Sequence, residues 1–174
     1  MAGFLTVCFS DWNSDVFRRG VMAIRNGRRT EQPLRRPLRP DEIEEVHYYI
    51  KPDPDFDTGF YTHCHRKLRQ AIQVGDTLFF RTLWRGQPYL IGYFLIEAKL
   101  LSDESPVCLA NLEKSRLIDF RLKITPRLIR KVRPNAVLVP GRHFNHQVNQ
   151  TFGRSYIRLS DPATRYLIER INRH

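Results

Sequence analysis

Apolar and turn-forming positions are most sharply separated in the middle of the chain. Two aromatic-rich runs, Val74–Arg81 and Leu90–Ile96, flank the segment Trp84-Arg85-Gly86-Gln87-Pro88. Such runs around a turn predict a pair of antiparallel strands. Gly75-Asp76 supplies a tight turn at the start of the first strand. Just upstream, His65–Ile72 predicts a short basic helix, and downstream Glu97–Leu101 extends the second strand. The order is thus basic helix, Gly-Asp turn, aromatic strand, turn, and a second strand carrying Gly92.

The flanking pattern is weaker. Phe4–Phe9 is β-branched and apolar and predicts a first strand, followed by the polar loop Ser10–Asp15 with Trp12 inside it. Asp15 caps a predicted short helix, Val16–Ile24. Val46–Ile50 predicts another strand. Val107–Ala110, Ser115–Phe120 and Leu122–Ile124 read as short strand or loop pieces. Thr125 followed by Pro126 marks the start of a helix that runs to Val132. Ala136–Val139 is a short buried-type strand or an ordered loop, and Gly141–Gly153 reads as a polar loop. Ser155–Leu159 predicts a strand. Ser160-Asp161-Pro162 then opens a terminal helix, Ala163–Ile171, with Tyr166, Leu167 and Ile171 on its apolar face. These elements predict an α+β domain, a curved antiparallel sheet or small twisted β-barrel flanked by short helices.

Composition sharpens the picture in three places. A length of 174 residues suits one domain. The formal net charge of +11 favours polyanionic partners through counterion release. Arg18–Arg39 holds eight arginines against one acid, Glu31, together with Pro33 and Pro37, and predicts an exposed, irregular insertion over residues 18–40. Beyond it Asp41, Glu42, Glu44, Glu45, Asp53, Asp55 and Asp57 reverse the sign; they form solvated loops or partner the arginines. No apolar run reaches the roughly 18 residues of a membrane span, so no membrane partner is expected. Met1–Cys8 lacks the basic start of a signal peptide. Cys8, Cys64 and Cys108 are too few and too widely spaced for a disulfide framework, which predicts reduced thiols in a cytoplasmic protein.

Candidate chemistry is mostly that of binding. No phosphate-binding glycine loop, nucleophile elbow or HExxH motif is present. His63, Cys64 and His65, even with His143 and His146, do not have zinc-ligand spacing, so neither metal nor cofactor is expected. Asp53, Asp55 and Asp57 stand beside Pro52 and Pro54 and read as a loop rather than a two-metal nuclease site. Trp84 beside Arg85 suits stacking on a base, or else packs over the end of the sheet. The loop around Arg142, His143 and His146 is rich in hydrogen-bonding groups. Arg66, Lys67 and Arg69 on the first basic helix, and Arg127, Arg130 and Lys131 on the Pro-started helix, are candidate phosphate contacts with Arg85 and Arg142. The two helices form one phosphate track if both face the same side.

The motif Val74–Phe80 after a basic helix, with Ile91-Gly92-Tyr93-Phe94 on the return strand, resembles the PUA-like superfamily of EVE, YTH and ASCH domains. The downstream order Ser115–Ile118, Arg154–Leu159 and terminal helix fits the same pattern. The nucleotide-modification-associated members are the most similar, since they tolerate a long segment between the first strand and the basic helix. The resemblance implies a twisted barrel that holds a flipped or single-stranded, possibly modified, nucleobase at one end. It places Ser10, Asp11, Trp12 and Asn13 at that pocket, together with Ser115 and Arg154; the other reading of Ser10–Asn13 is a loop closed by its own Asx-turn bonds, with Trp12 capping the core. Tyr61, His63 and His65 line the same site or cap the basic helix. The implied function is a nucleic-acid-binding module for DNA or RNA. The alternative is an enzyme, an ASCH-like nuclease or an accessory of base modification, and either version allows a protein partner from a modification or restriction system.

Overall fold

The computed structural model describes residues 2–8, 22–25, 28–29, 48–50, 54, 56, 58–62, 65–84, 86–100, 106–153 and 155–174. The first strand, β1 (Gly3–Val7), lies inside a large sheet. A small separate sheet follows, formed by β2 (Met22–Arg25), β3 (Arg28–Arg29) and β4 (Tyr48–Ile50) in the order β3-β2-β4. The large sheet continues with β5 (Phe60–Tyr61), β6 (Thr77–Trp84), β7 (Gln87–Leu100), β8 (Val107–Ala110), β9 (Arg116–Lys123) and β10 (Tyr156–Leu159). Its order is β10-β1-β6-β7-β8-β5, with β9 also paired to β7. The path does not return on itself, so among the described residues the sheet is open rather than a closed barrel. Nor is it wholly antiparallel. β1 and β6 run parallel, Gly3 opposite Thr77 and Val7 opposite Arg81. Only a long connection can make such a pair, and the segment between Val7 and Thr77 supplies one.

The expected hairpin is present as β6 and β7, closed by the pair Trp84 and Gln87, with Gly86 in the turn. β7 is 14 residues long and forks. Its first half pairs with β9 and its second half with β8. Gly92 makes the fork possible. The register slips there, with Phe80 opposite Gly92 but Arg81 opposite Leu90, so Ile91 is the extra residue of a bulge. A β-carbon at Gly92 would collide with the Arg116 carbonyl oxygen and stand 3.0 Å from the Phe56 ring.

Alternating residues divide the core between the two faces of the sheet. Phe4, Leu78, Phe80, Ile91, Phe94 and Ile96 face one way, with Tyr61 and Cys108. Helix α1 (Arg66–Ala71) closes this side with Leu68, and Ile72 follows at its C-cap. Leu5, Phe79, Leu90, Tyr93 and Leu122 face the other way. They meet α2 (Pro126–Val132), α3 (Phe144–Phe152) and α4 (Asp161–Asn172). The start signals read in the sequence act as caps: Thr125 Oγ1 accepts from Leu128 N at 3.3 Å, and Ser160 Oγ from Ala163 N at 3.4 Å.

Two expectations are corrected. The stretch Gly141–Gly153, read as a loop, contains α3. Phe144, Val148 and Phe152 recur every four residues and form its inward stripe, which many polar neighbours conceal. Met22–Ile24, read as the end of a helix, belongs to strand β2; Asn26-Gly27 between β2 and β3 is a strong hairpin signal. The segment expected to be irregular therefore contains strands. No helix among the described residues is long and apolar enough to cross a membrane.

Candidate functional site

The last residues of β1 gather several chain segments at one end of the sheet. The Ser155 carbonyl oxygen accepts from Val7 N at 3.0 Å and Thr6 Oγ1 at 3.2 Å, which ties in the start of β10. Cys8 N donates to the Arg81 carbonyl at 2.8 Å, and Thr82 Oγ1 donates to the Cys8 carbonyl at 3.1 Å. His65 Nε2 stands 3.3 Å from the Val7 carbonyl oxygen. That contact calls for the tautomer protonated at Nε2. His65 itself adopts a left-handed conformation, φ 50°, where the chain turns into α1.

A buried cation lies at this end. Arg81 follows Phe79 on the helix-covered register of β6 and is only 3% exposed. Its Nη1 donates to Asn149 Oδ1 at 3.0 Å, and its Nη2 donates to the Gly153 carbonyl. Its Nε has no partner, and no carboxylate pairs with it among the described residues. Burial pushes the guanidinium well below its ordinary value, to about 10, an effect that Cys8 opposes. It therefore keeps its full charge at neutral pH. One turn before Asn149 on α3, Asn145 Nδ2 donates to the Gly86 carbonyl at 2.6 Å, at the tip of the β6–β7 hairpin. Asn145 Oδ1 is buried without a partner. An unmatched buried donor and an unmatched buried acceptor thus lie at the same end, each costing about 1–3 kcal/mol or more where charged.

The structure distributes the expected site residues unevenly. His65 is half-buried at this end, and Trp84 ends β6 there, with its side chain outside the described residues. Ser10, Asp11, Trp12, Asn13, His63, Arg85 and Arg154 also lie outside the described residues. Tyr61 is wholly buried and packs on Phe80, ring centroids 5.6 Å apart. Ser115 lies elsewhere. Its Oγ accepts from Leu95 N at 3.0 Å, at the far end of the β6–β7 ladder where Leu95 faces Thr77.

The basic residues divide likewise. Arg66 and Lys67 are exposed on α1. Arg69 turns inward, 3% exposed, and its Nε donates to the Pro106 carbonyl at 2.8 Å, which binds α1 to the start of β8. Arg127, Arg130 and Lys131 are exposed on α2, and Arg142 is exposed before α3. Because α1 and α2 pack on opposite faces of the sheet, their basic residues do not share one face. Arg81, Asn145 and Asn149 were not expected from the sequence. The available signal was a lone arginine on the core-facing register of an apolar strand. A scan of the chain against protein-family models gave no match, and a search of curated proteins gave none either.

Proposed function

We propose that this chain is a nucleic-acid-binding module of PUA-like build that takes one flipped or single-stranded nucleobase, plain or modified, at the Val7–Trp84 end of its sheet. One observation carries the reading: the Arg81 Nε donor and the Asn145 Oδ1 acceptor are both buried and both unmatched at that end. A base removed from its stack presents acceptors and donors side by side on its edge, and it meets these two solvent-closed atoms only as that end of the sheet opens. The segments with Trp12, His63 and Arg154 adjoin the same strands in the sequence and provide aromatic and cationic chemistry. The net charge of +11 supplies the sequence-independent attraction to phosphates.

Fluorescence anisotropy with single-stranded DNA and RNA oligonucleotides, plain and carrying modified bases, tests the proposal. Binding is expected, with an affinity that falls steeply as salt rises. Arg81→Met is expected to lose at least tenfold in affinity for the preferred strand. The idea is abandoned if no oligonucleotide binds in a salt-dependent manner. Strands recovered from the mixture, run on a denaturing gel, reveal whether cleavage accompanies binding.

A further inference from the structure

The positive charge of this chain is not spread evenly along it. Residues 1–119 are close to balance, with 17 basic side chains against 16 acidic ones, whereas residues 120–174 hold 12 against 2. Between Asp119 and Asp161 there is no acidic residue at all. That stretch builds the end of β9, then α2, α3 and β10, and α4 follows it. The three helices lie on one face of the sheet, held there by Leu128 and Val132 of α2, Phe152 of α3, and Leu167 and Ile171 of α4. The two acids of this layer are both engaged. Glu169 pairs with Arg173 at 3.9 Å, and Asp161 stands in the first turn of α4, where the helix dipole favours it.

The unbalanced cations begin where this layer meets the sheet end. On α2, Leu128, Ile129 and Val132 are buried, while Arg127, Arg130 and Lys131 are exposed on the other side. Positions i, i+3 and i+4 share one side of a helix, so these three form a single stripe that rises about 6 Å. Both α2 and α3 start at the tip of the β6–β7 hairpin. Ile124 N, just before the Thr125 cap, donates to the Pro88 carbonyl at 2.8 Å, and Asn145 Nδ2 ties the first turn of α3 to the Gly86 carbonyl. Arg142 precedes α3 in a loop that the buried Gln147 clasps on both sides. The Gln147 Oε1 accepts from Val139 N at 2.6 Å, and its Nε2 donates to the Arg142 carbonyl at 3.0 Å. Among the described residues, no ion pair engages Arg127, Arg130, Lys131 or Arg142.

Like charges crowded on one face repel one another, and a polyanion relieves that repulsion as it releases its own counterions. A duplex is stiff over some 50 nm, so the backbone beside an extruded base runs on past the sheet end and lies along a face of the domain. The acid-free face is the one that complements it. We infer that the α2 face, from Arg142 at the hairpin tip along the Arg127–Lys131 stripe, docks the phosphate backbone of a nucleic-acid duplex. Such docking rests on the reading of the chain as a nucleic-acid binder, not on where a base is held.

Fluorescence anisotropy with a duplex of about 20 base pairs carrying one mismatch, read at several salt concentrations, tests the face. Arg127→Gln, Arg130→Gln and Lys131→Gln are each expected to make the slope of log affinity against log salt shallower by about 0.9, and to lower affinity several-fold at about 0.1 M salt. One strand of the duplex alone is flexible, can turn away from α2, and should lose less. Arg158→Gln removes an equal charge from the same acid-free stretch. Arg158 pairs in register with Phe4 and faces the α1 side, so its loss should leave the slope unchanged. Arg81→Met separates this face from the sheet end, since it is expected to lower affinity and keep the slope. The substituted glutamine positions are exposed, and melting curves check that each variant keeps the fold. Docking on α2 is overturned if its three variants leave slope and affinity unchanged, and where Arg81→Met still weakens binding the base site stands without it. It is overturned as well if Arg158→Gln flattens the slope as much as they do, or if poly-glutamate displaces the duplex at equal charge. Losses as large with the single strand would overturn the duplex as the occupant.

Discussion

The two ends of the β6–β7 ladder use polar groups in opposite ways. At the Thr77 end, polarity closes the structure. Asp76 Oδ1 accepts from Ala2 N at 2.7 Å and Oδ2 from Gln73 N at 3.0 Å. Lys99 Nζ donates to the Gln70 and Ile72 carbonyls at 2.8 and 3.0 Å, where α1 ends. Ser115 Oγ receives Leu95 N. The atom left over is a neutral hydroxyl, Thr77 Oγ1. At the Val7 end the leftover atoms are a donor on a full positive charge and an amide oxygen. Desolvating a charge costs several kcal/mol where desolvating a hydroxyl costs about 1–3. By this difference the Val7 end is the candidate site and the Thr77 end a structural lock, although Arg170 Nε on α4 is likewise buried and unmatched.

The largest predicted effect removes the frame that both ends share. Gly92→Val would place a branched side chain against the Arg116 backbone and the Phe56 ring, at a bulge where φ is 154°. We expect about 3 kcal/mol or more of destabilisation in urea unfolding, with oligonucleotide binding lost as well. Loss of binding with stability unchanged would show that the bulge serves only the Val7 end.

Asp76→Ala comes next and acts on the closed end alone. It orphans two backbone donors, for an expected loss of about 2 kcal/mol in the same measurement. Affinity for oligonucleotides should stay within about twofold at 25 °C, well below the tenfold that 1.4 kcal/mol represents. A tenfold loss would mean that Asp76 belongs to the binding site and that the two ends are not separate.

Arg81→Met is the counterpart at the open end. Methionine fills much of the buried volume without the charge, so we expect stability within about 1–2 kcal/mol of wild type, or a gain. Affinity should fall at least tenfold. A large loss of stability with binding intact would reverse the assignment and make Arg81 a structural clamp on Asn149 and Gly153.

How much of this the sequence foretold depends on whether the signal was local. The β6–β7 hairpin, α1, α2 and α4 were legible because Gly75-Asp76, Thr125-Pro126 and Ser160-Asp161-Pro162 act within a few residues of where they stand. The parallel pairing of β1 with β6 was not, because it depends on a contact across some seventy residues that no local pattern encodes. Helix α3 was hidden because His143 at its N-cap makes no side-chain cap and polar residues surround its four-residue stripe. Among site residues, composition counted Arg69 with the exposed bases, whereas packing turned it onto Pro106. Ser115 followed from the resemblance, and the fork of β7 gave its hydroxyl a backbone donor to hold. The strand register puts Arg81 inside, but only the finished fold reveals that its Nε is left without a partner while Nη1 and Nη2 find theirs.

The smallest predicted effect tests that mismatch directly. The Arg81 guanidinium is pushed down to about 10 in the folded protein because burial disfavours its charge. Below about pH 10 the folded and unfolded chains both carry the proton, so the full penalty of burial is present and does not vary with pH. From about pH 10 upward the unfolded chain retains a proton that the folded chain releases, and there the contribution of Arg81 to stability rises with pH. Arg81→Met lacks this titration. The difference in unfolding free energy between the two proteins should therefore be flat from about pH 7 to 9, then move in favour of wild type by roughly 1 kcal/mol by pH 11. Urea unfolding of both proteins at each pH, each carrying Cys8→Ala, measures it, and subtracting one from the other cancels the titration of the groups that do not interact with Arg81. A difference that stays constant through pH 11 would mean that the guanidinium is matched inside the folded protein, and the contrast between the two ends would lose its basis.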